Sequence, residues 1–567
     1  YGSRAANGVI LVTTKKANKD MTPTITYSGF FALQTPTALP EMCDAVEYLT
    51  LLKEATANVG KPWGYTQEDV DAVINRTDLN NRANVNWVDQ LYRSTAPQHG
   101  HNVSLNGGSK SLGYYLSYGN LSTSGLFVGN GYHASRNNLR VKVTTTMLDR
   151  VKIDANFGYT DVDNWTPASS DSSSDGLFYK ALRSSPLTPV RFTDGGWGYG
   201  GSSANPIAII YDGGFINYKA RETNLSLGGE MEILKGFTAK IQYATRLKDV
   251  LRKQQSNKIQ HYIPDTDTPL ASSSTTSSIS QRDISERYQN ILVQGDYERT
   301  FGKHTVHLLA GFSQEWNENQ TMNASRQDLV SDDLHVLNAG TEKFDNDGMG
   351  EEWALRSGFG RINYNFDDRY LFEANLRYDL SSRFHPDNRW GQFWSLGGSW
   401  RISNEDFMKP YSSWLDNLKL KASYGAVGND NLGTYYAYQG LYATGMNNYR
   451  DPGVMVSRLS NKDLKWETNL QFNVGLDFAV FNKLSGSVEW FSRKSKDLLF
   501  TLPMAPSTGM SGIDRNIGDV KNQGVEFSLN YAAISNKDFK WTIDLNGTSY
   551  KNRITKLPQA EVNAGVF

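Results

Sequence analysis

The sequence predicts an all-β chain folded as a transmembrane antiparallel β-barrel, on three observations. Apolar and polar residues alternate with a period of two over stretches long enough to cross a bilayer. The links between these stretches are short on one side and long on the other, as in a membrane barrel with tight turns at one rim and loops at the other. The composition is polar and aromatic at once: of 567 residues 39% are hydrophobic, 12% are aromatic and 50 are glycine, with a mean hydropathy of −0.52. A wall with one face in lipid and one in water has this composition, because only alternate residues need be apolar.

In chain order, the first element is a continuous apolar run, Gly8-Val9-Ile10-Leu11-Val12-Thr13-Thr14, which reads as a strand buried on both faces. It suits the core of a small separate domain better than a wet barrel wall. Period-two strands follow. Val151, Ile153, Ala155, Phe157 and Tyr159 alternate with polar residues or glycine, and so do Leu225, Leu227, Met231 and Ile233. Tyr370, Phe372, Ala374, Leu376 and Tyr378 repeat the pattern, as do Leu470, Phe472, Val474, Leu476 and Phe478, and later Phe539, Trp541, Ile543 and Leu545. About 17 such strands are expected, most of about 10–13 residues. Twelve residues at ~3.3 Å each, tilted by roughly 45°, span ~28 Å, enough for an apolar band of ~25 Å.

Tight links are expected at 108–110, 148–150, 234–236, 300–304, 367–368, 480–483 and 535–538, with a longer one on the same side at 403–417. Long links are expected at 35–100, 163–220, 249–286, 317–352, 428–465 and 494–522. They are polar and rich in Gly, Ser and Asn, except that 44–58 and 67–76 have helical spacing and predict two short helices.

The remaining features exclude several classes. Lys+Arg is 58 and Asp+Glu 59, a net charge of −1 that lacks the basic excess of a nucleic-acid binder. The single cysteine, Cys43, excludes an intrachain disulfide framework. No nucleophile elbow, P-loop or zinc-protease motif occurs, and the glycines of 195–201 do not sit between a strand and a helix, so no enzyme is expected. Asp332-Asp333, Asp345/Asp347 and Glu351-Glu352 read as solvated loop carboxylates, and His99 with His101 lacks a third ligand, so neither metal nor cofactor is expected. Trp165, Trp197, Tyr199 and Tyr211 in the 163–220 segment are the candidate substrate-binding residues, because aromatic rings stack on the apolar faces of sugars. The alternative for them is packing of loop on loop. Trp316, Trp353, Trp400, Trp466 and Trp490, at strand ends, read as an interfacial girdle.

The run Tyr1-Gly2-Ser3-Arg4-Ala5-Ala6-Asn7-Gly8-Val9-Ile10-Leu11-Val12-Thr13-Thr14-Lys15-Lys16 resembles the end of the plug domain of TonB-dependent outer-membrane transporters, and more narrowly the SusC/RagA branch of the Bacteroidetes. Further stretches resemble the same branch. They include Arg377-Tyr378-Asp379-Leu380-Ser381-Ser382-Arg383-Phe384, Ser399-Trp400-Arg401-Ile402-Ser403-Asn404-Glu405-Asp406-Phe407 and Asn516-Ile517-Gly518-Asp519-Val520. Leu380 departs from the pattern, where the branch usually has Gly after Asp.

The resemblance implies a barrel of about 22 strands, of which about 17 would be present. Residues 1–20 would be the C-terminal end of the plug and 21–567 a barrel incomplete at its C-terminus. Tyr1, Gly2, Ser3, Arg4, Asn7 and Gly8 would form the plug-end motif, with Arg4 free to pair with carboxylates of the wall. It also implies import of oligosaccharides or peptides through the outer membrane. A SusD-like surface lipoprotein and TonB, acting through the missing N-terminal part, would be the partners. The alternatives are a passive porin or adhesin barrel, or a secreted carbohydrate-active β-protein.

Overall fold

The computed structural model describes residues 2, 8, 15, 17, 19–129, 131–148, 150–169, 176–199, 205–272, 276–448, 451–510 and 512–556. The chain opens with β1 (Met21–Gln34), followed by α1 (Ala45–Asn58), α2 (Gln67–Asn75) and α3 (Trp87–Leu91). Then come β2 (Ala96–Gly108), β3 (Leu112–Ser124), β4 (His133–Met147), β5 (Val151–Pro167), α4 (Leu177–Arg183) and α5 (Pro206–Asp212). Next are β6 (Gly214–Leu234), β7 (Phe237–Ser256), the loop strands β8 (Gln260–Tyr262) and β9 (Pro269–Ser272), and the long pair β10 (Ser278–Phe301) and β11 (His304–Leu329). β12 (Gly340–Phe366), β13 (Tyr370–Ser381), β14 (Trp390–Arg401) and β15 (Leu415–Asn429) continue the wall. The loop hairpin β16 (Leu441–Asn448) and β17 (Asp451–Arg458) precedes β18 (Glu467–Val480) and β19 (Leu484–Lys496). A second loop hairpin, β20 (Leu499–Pro503) and β21 (Gly512–Asn516), precedes β22 (Asp519–Ser535) and β23 (Lys540–Lys556).

Among the described residues one sheet of 17 strands contains every strand except those of the three loop hairpins, and each wall strand pairs antiparallel with the next wall strand in the chain. This matches the expected all-β meander. Among the described residues β1 pairs only with β2 and β23 only with β22, so the described sheet is a wall that does not close on itself.

Alternation builds the two faces. Along β13, Tyr370, Phe372, Leu376 and Tyr378 are exposed apolar residues, and Glu373, Asn375, Arg377 and Asp379 point to the other side. The outward rings of Trp394, Tyr424, Phe472 and Trp490 meet in a ladder across β14, β15, β18 and β19, with centroids 5.4, 6.3 and 5.9 Å apart. The expected tight links are present. Asp367 and Asp368 have φ of 53° and 52°, and Phe481 and Asn482 have φ of 57° and 53°. Consecutive positive φ values give the primed turns whose twist matches that of the flanking strands. The longer link on this rim, between β14 and β15, is two turns of 3-10 helix, Ile402–Asn404 and Asp406–Tyr411.

Strand lengths differ from expectation. β6, β7, β10, β11 and β12 run for 21, 20, 24, 26 and 27 residues. Backbone pairing continues past the apolar band, where both faces are polar and the period-two signal vanishes. The segments 249–286 and 317–352, expected as loops, are therefore largely sheet. Trp353 and Trp466 are not girdle residues: both are buried in a cluster with Leu355, Phe384, Phe393 and Leu464. Trp466 packs on Phe384 and Phe393 at 5.2 and 5.4 Å, and its indole N–H donates to the Arg389 carbonyl.

Of the plug-end motif, Gly2 and Gly8 are described; Tyr1, Ser3, Arg4, Asn7 and the apolar run 9–14 lie outside the described residues. Gly2 is buried against the inward face, where its carbonyl accepts from the Gly428 N–H at 3.0 Å. A Cβ there would run into the Arg377 side chain. Lys142 donates to the Lys15 carbonyl at 2.9 Å, a second tie between this segment and the wall.

Candidate functional site

Two regions could handle a solute: a cavity in the loops at the long-link rim, and the polar inward face below it. The cavity is assembled from capped helices. Asp44 caps α1 by accepting from the Glu47 N–H, and Thr66 caps α2 in the same way with Asp69. Asn205 caps α5, with Pro206 at the first turn, where its missing N–H costs nothing. Ala45, Leu49 and Val73 then pack on Leu187. Trp87, Val88 and Leu91 pack on Leu177, Ala181 and residues 207–210. Two long links, 35–95 and 168–213, are thereby fused into one lobe.

Between them lies a cavity of about 640 Å³, with Tyr48, Tyr65, Asn80, Asn81, Arg82 and Tyr199 among its lining residues. Arg82 is fixed by Asp69 at 2.9 Å and its guanidinium lies 5.3 Å over the Tyr65 ring. The Thr66 backbone N–H, and after it Arg82, hold the Asp69 carboxyl below its ordinary range. Aromatic faces beside amides and a held cation are the groups that bind a polyhydroxylated or amide-rich solute.

The four loop aromatics fall in different places. Trp197 is 8% exposed; its indole N–H donates to Asp212 at 2.5 Å and Arg191 covers its ring at 3.4 Å. Tyr211 stacks on Trp197 at 6.1 Å and is 55% exposed. Tyr199 lines the cavity and leans on His261 at 5.2 Å. Trp165 stands apart on β5, against Phe215 at 4.8 Å. The structure thus brings Trp197, Tyr199 and Tyr211 into one lobe and leaves Trp165 outside it. Sequence reading missed Tyr48, Tyr65 and Arg82. Tyr48 lies in the helical spacing of 44–58, which marks packed loop rather than free loop, whereas Tyr65 and Arg82 flank the 67–76 segment and carry no signal of their own.

The inward face carries charge in pairs. Lys152 meets Asp154 at 3.2 Å, His307 meets Asp296 at 3.3 Å, and Arg377 meets Asp379 at 2.8 Å. Lys421 bridges Asp477 at 2.9 Å and Glu489 at 3.3 Å. A recess of about 330 Å³ beside Gly2 is lined by Arg361, Glu373, Asn375 and Arg377. This face can hold a polar body by many breakable contacts. Among the described residues no group of three His, Cys, Asp or Glu could hold a metal ion. His99 and His101 stand 5.4 Å apart, with Tyr27 bonded to His101. Cys43 is exposed.

Comparison with known proteins places this architecture. Residues 164–565 match the model of a family described as TonB dependent receptor-like, beta-barrel. The chain is 28% identical to TonB-dependent receptor P3 of Formosa agariphila, over 99% of this chain and 54% of that protein. It is 29% identical to TonB-dependent receptor SusC of Bacteroides thetaiotaomicron, over 98% of this chain and 55% of that one. The chain spans about half the length of the curated relatives it matches. Among solved structures, the RagAB peptide importer in its closed-closed state superposes with a TM-score of 0.84 at 25% identity, covering 98% of this chain and 64% of that one.

Proposed function

This chain belongs to the TonB dependent receptor-like β-barrel family of outer-membrane proteins, and from that premise we propose that it is the plug end and most of the wall of an active nutrient importer. The cargo is an oligosaccharide or a peptide, taken up in a TonB-dependent manner with a SusD-like surface lipoprotein as partner. Residues 1–20 close the plug and the wall begins at residue 21. In this reading the protein carries no catalytic step of its own, in keeping with relatives named as TonB-dependent receptors.

The observation that carries this reading is the pairing of a continuous antiparallel wall, apolar outside and ion-paired inside, with a segment seated on its inner face at Gly2. A plug held by many polar contacts can be firm at rest and yield to a pull, because each contact exchanges for water at a small cost. Cargo is met first at the loop cavity, where Tyr199 works with Tyr48, Tyr65 and Arg82. Tyr211, an exposed ring stacked on the buried Trp197 of the same lobe, is the second candidate contact, and Trp165, packed on Phe215 outside the lobe, is the weakest.

The test is uptake of labelled oligosaccharides and peptides by cells carrying the full-length protein. Uptake should stop when the inner-membrane proton gradient is collapsed or TonB is deleted, and persistence under both conditions would make the protein a passive pore. Tyr199→Ala should weaken cargo binding by about tenfold, the loss of one stacked ring and its desolvated contacts. Isothermal titration of the full-length protein in detergent measures it, and an unchanged affinity would remove the cavity from the site.

A further inference from the structure

The upper part of β12 is a free sheet edge. β11 pairs with β12 from Gly340 to Phe366, whereas β13 pairs with it only from Leu355 onward. Residues 341–350 are all exposed. Three bonds establish which backbone groups face the open side. The Ser382 N–H donates to the Ala354 carbonyl at 2.9 Å, the Ala354 N–H donates to the Ser382 hydroxyl at 2.9 Å, and the Glu352 N–H donates to the Tyr436 hydroxyl at 3.1 Å. Backbone groups alternate sides along a strand, and the register with β11 is unbroken from Asp345 to Phe366. Asn346, Gly348 and Gly350 therefore aim their N–H and C=O groups outward from the same edge, with no strand beside them among the described residues.

The edge is acidic: Glu342, Asp345, Asp347, Glu351 and Glu352 stand against Lys343. Period-two geometry puts Asp345, Asp347 and Glu351 on one face. Such carboxylates repel the same edge of a second copy. They would favour a strand carrying Lys or Arg at alternate positions, each opposite a carboxylate. The other face of this edge carries Gly348 and Gly350, which have no side chains to crowd the intervening ones of an added strand.

We propose that residues 345–351 of β12 form a β-augmentation site for an extended basic segment of another protein. The backbone of Asn346, Gly348 and Gly350 supplies the ladder, and Asp345, Asp347 and Glu351 select alternating cations. This does not depend on what the barrel imports.

The test uses the full-length protein in detergent and two fluorescein-labelled octapeptides of the same composition, one alternating Lys and Val, the other with its lysines clustered. The alternating peptide should bind more tightly, lose affinity with added salt, and protect the amides of Gly348 and Gly350 from hydrogen exchange. Gly350→Pro removes one outward N–H and no bond to β11, at a position where an added Cβ meets nothing within 4 Å. It should weaken binding at least tenfold. Asp345→Asn with Asp347→Asn should do the same without touching the backbone. Equal binding of both peptides, or unchanged amide exchange at Gly348 and Gly350 under saturating peptide, would overturn the proposal. If Gly350→Pro fails to assemble, full-strength binding by the Asp345→Asn, Asp347→Asn variant would overturn it instead.

Discussion

Glu405 shows how one side chain shapes the tight-turn rim. It is largely buried in the link between β14 and β15, accepting from the Tyr370 hydroxyl at 2.7 Å, the Trp400 indole at 2.9 Å and Arg369 at 3.1 Å. The Tyr370 hydroxyl first, then Trp400, then Arg369 hold its carboxyl below the ordinary carboxylate range. A carboxyl whose pKa is depressed by folding binds its proton more readily when unfolded. Its contribution is therefore complete above the unfolded pKa, ~4.3, and fades as pH falls through the lower folded value. Glu405→Gln should lower the unfolding midpoint of the full-length protein at pH 7 by about 1 °C. The gap should narrow as pH drops below about 4. Thermal melts followed by gel mobility at the two pH values check it, and a gap that widens in acid would refute the assignment. Nothing in the run Ser403-Asn404-Glu405-Asp406 announces this role, because its three donors come from β13, its preceding turn and the end of β14. Trp353 and Trp466 were misread for the same reason: a tryptophan at a strand end reads as interfacial until the loop that covers it is known.

Elements were legible where one face meets lipid and the other water. The alternation along β5, β13 and β18 locates them, and the turn at Asp367-Asp368 was readable from its length alone. The upper halves of β10, β11 and β12 were not readable. Above the bilayer both faces are polar, and only backbone pairing, invisible to side-chain pattern, keeps the strands together. The same rule yields a sharp contrast between neighbours on β18. Phe472 faces lipid within the aromatic ladder, and Asn473 faces inward, bonded to Ser423. Phe472→Arg should cost about 2–4 kcal/mol of barrel stability near the bilayer midplane, whereas Asn473→Arg should cost well under half of that. Urea unfolding of the full-length protein in lipid vesicles separates them, and equal costs would mean the faces are exchanged. The helices were legible from their own spacing, but the cavity was not, since it forms between links far apart in the chain. Asp44→Ala removes the side-chain half of a capping box, the carboxylate that accepts from the Glu47 N–H, and costs about 1 kcal/mol of local stability. Amides of α1 should then exchange about fivefold faster while those of the wall strands stay unchanged.

At the scale of the molecule, the count and direction of strands constrain how the wall can close. Odd-numbered members of the 17-strand meander run toward the long-link rim, so the first, β1, and the last, β23, run the same way. Joined directly they would form a parallel pair. An antiparallel barrel therefore needs an odd number of further strands between them. The resemblance to the SusC/RagA branch implies about five, which is odd, and those would leave about six inter-strand gaps of ~4.8 Å each, or ~29 Å along the arc. Spin labels at Tyr27→Cys on β1 and Leu545→Cys on β23, both exposed on the lipid-facing side, should then lie about 20–30 Å apart in the assembled full-length protein. Direct pairing would put them near 5 Å, and a single intervening strand near 10 Å. A pulsed dipolar distance below about 15 Å would exclude the larger barrel. It would also shrink the lumen below what a plug needs, and the import reading would lose its physical basis along with the strand count.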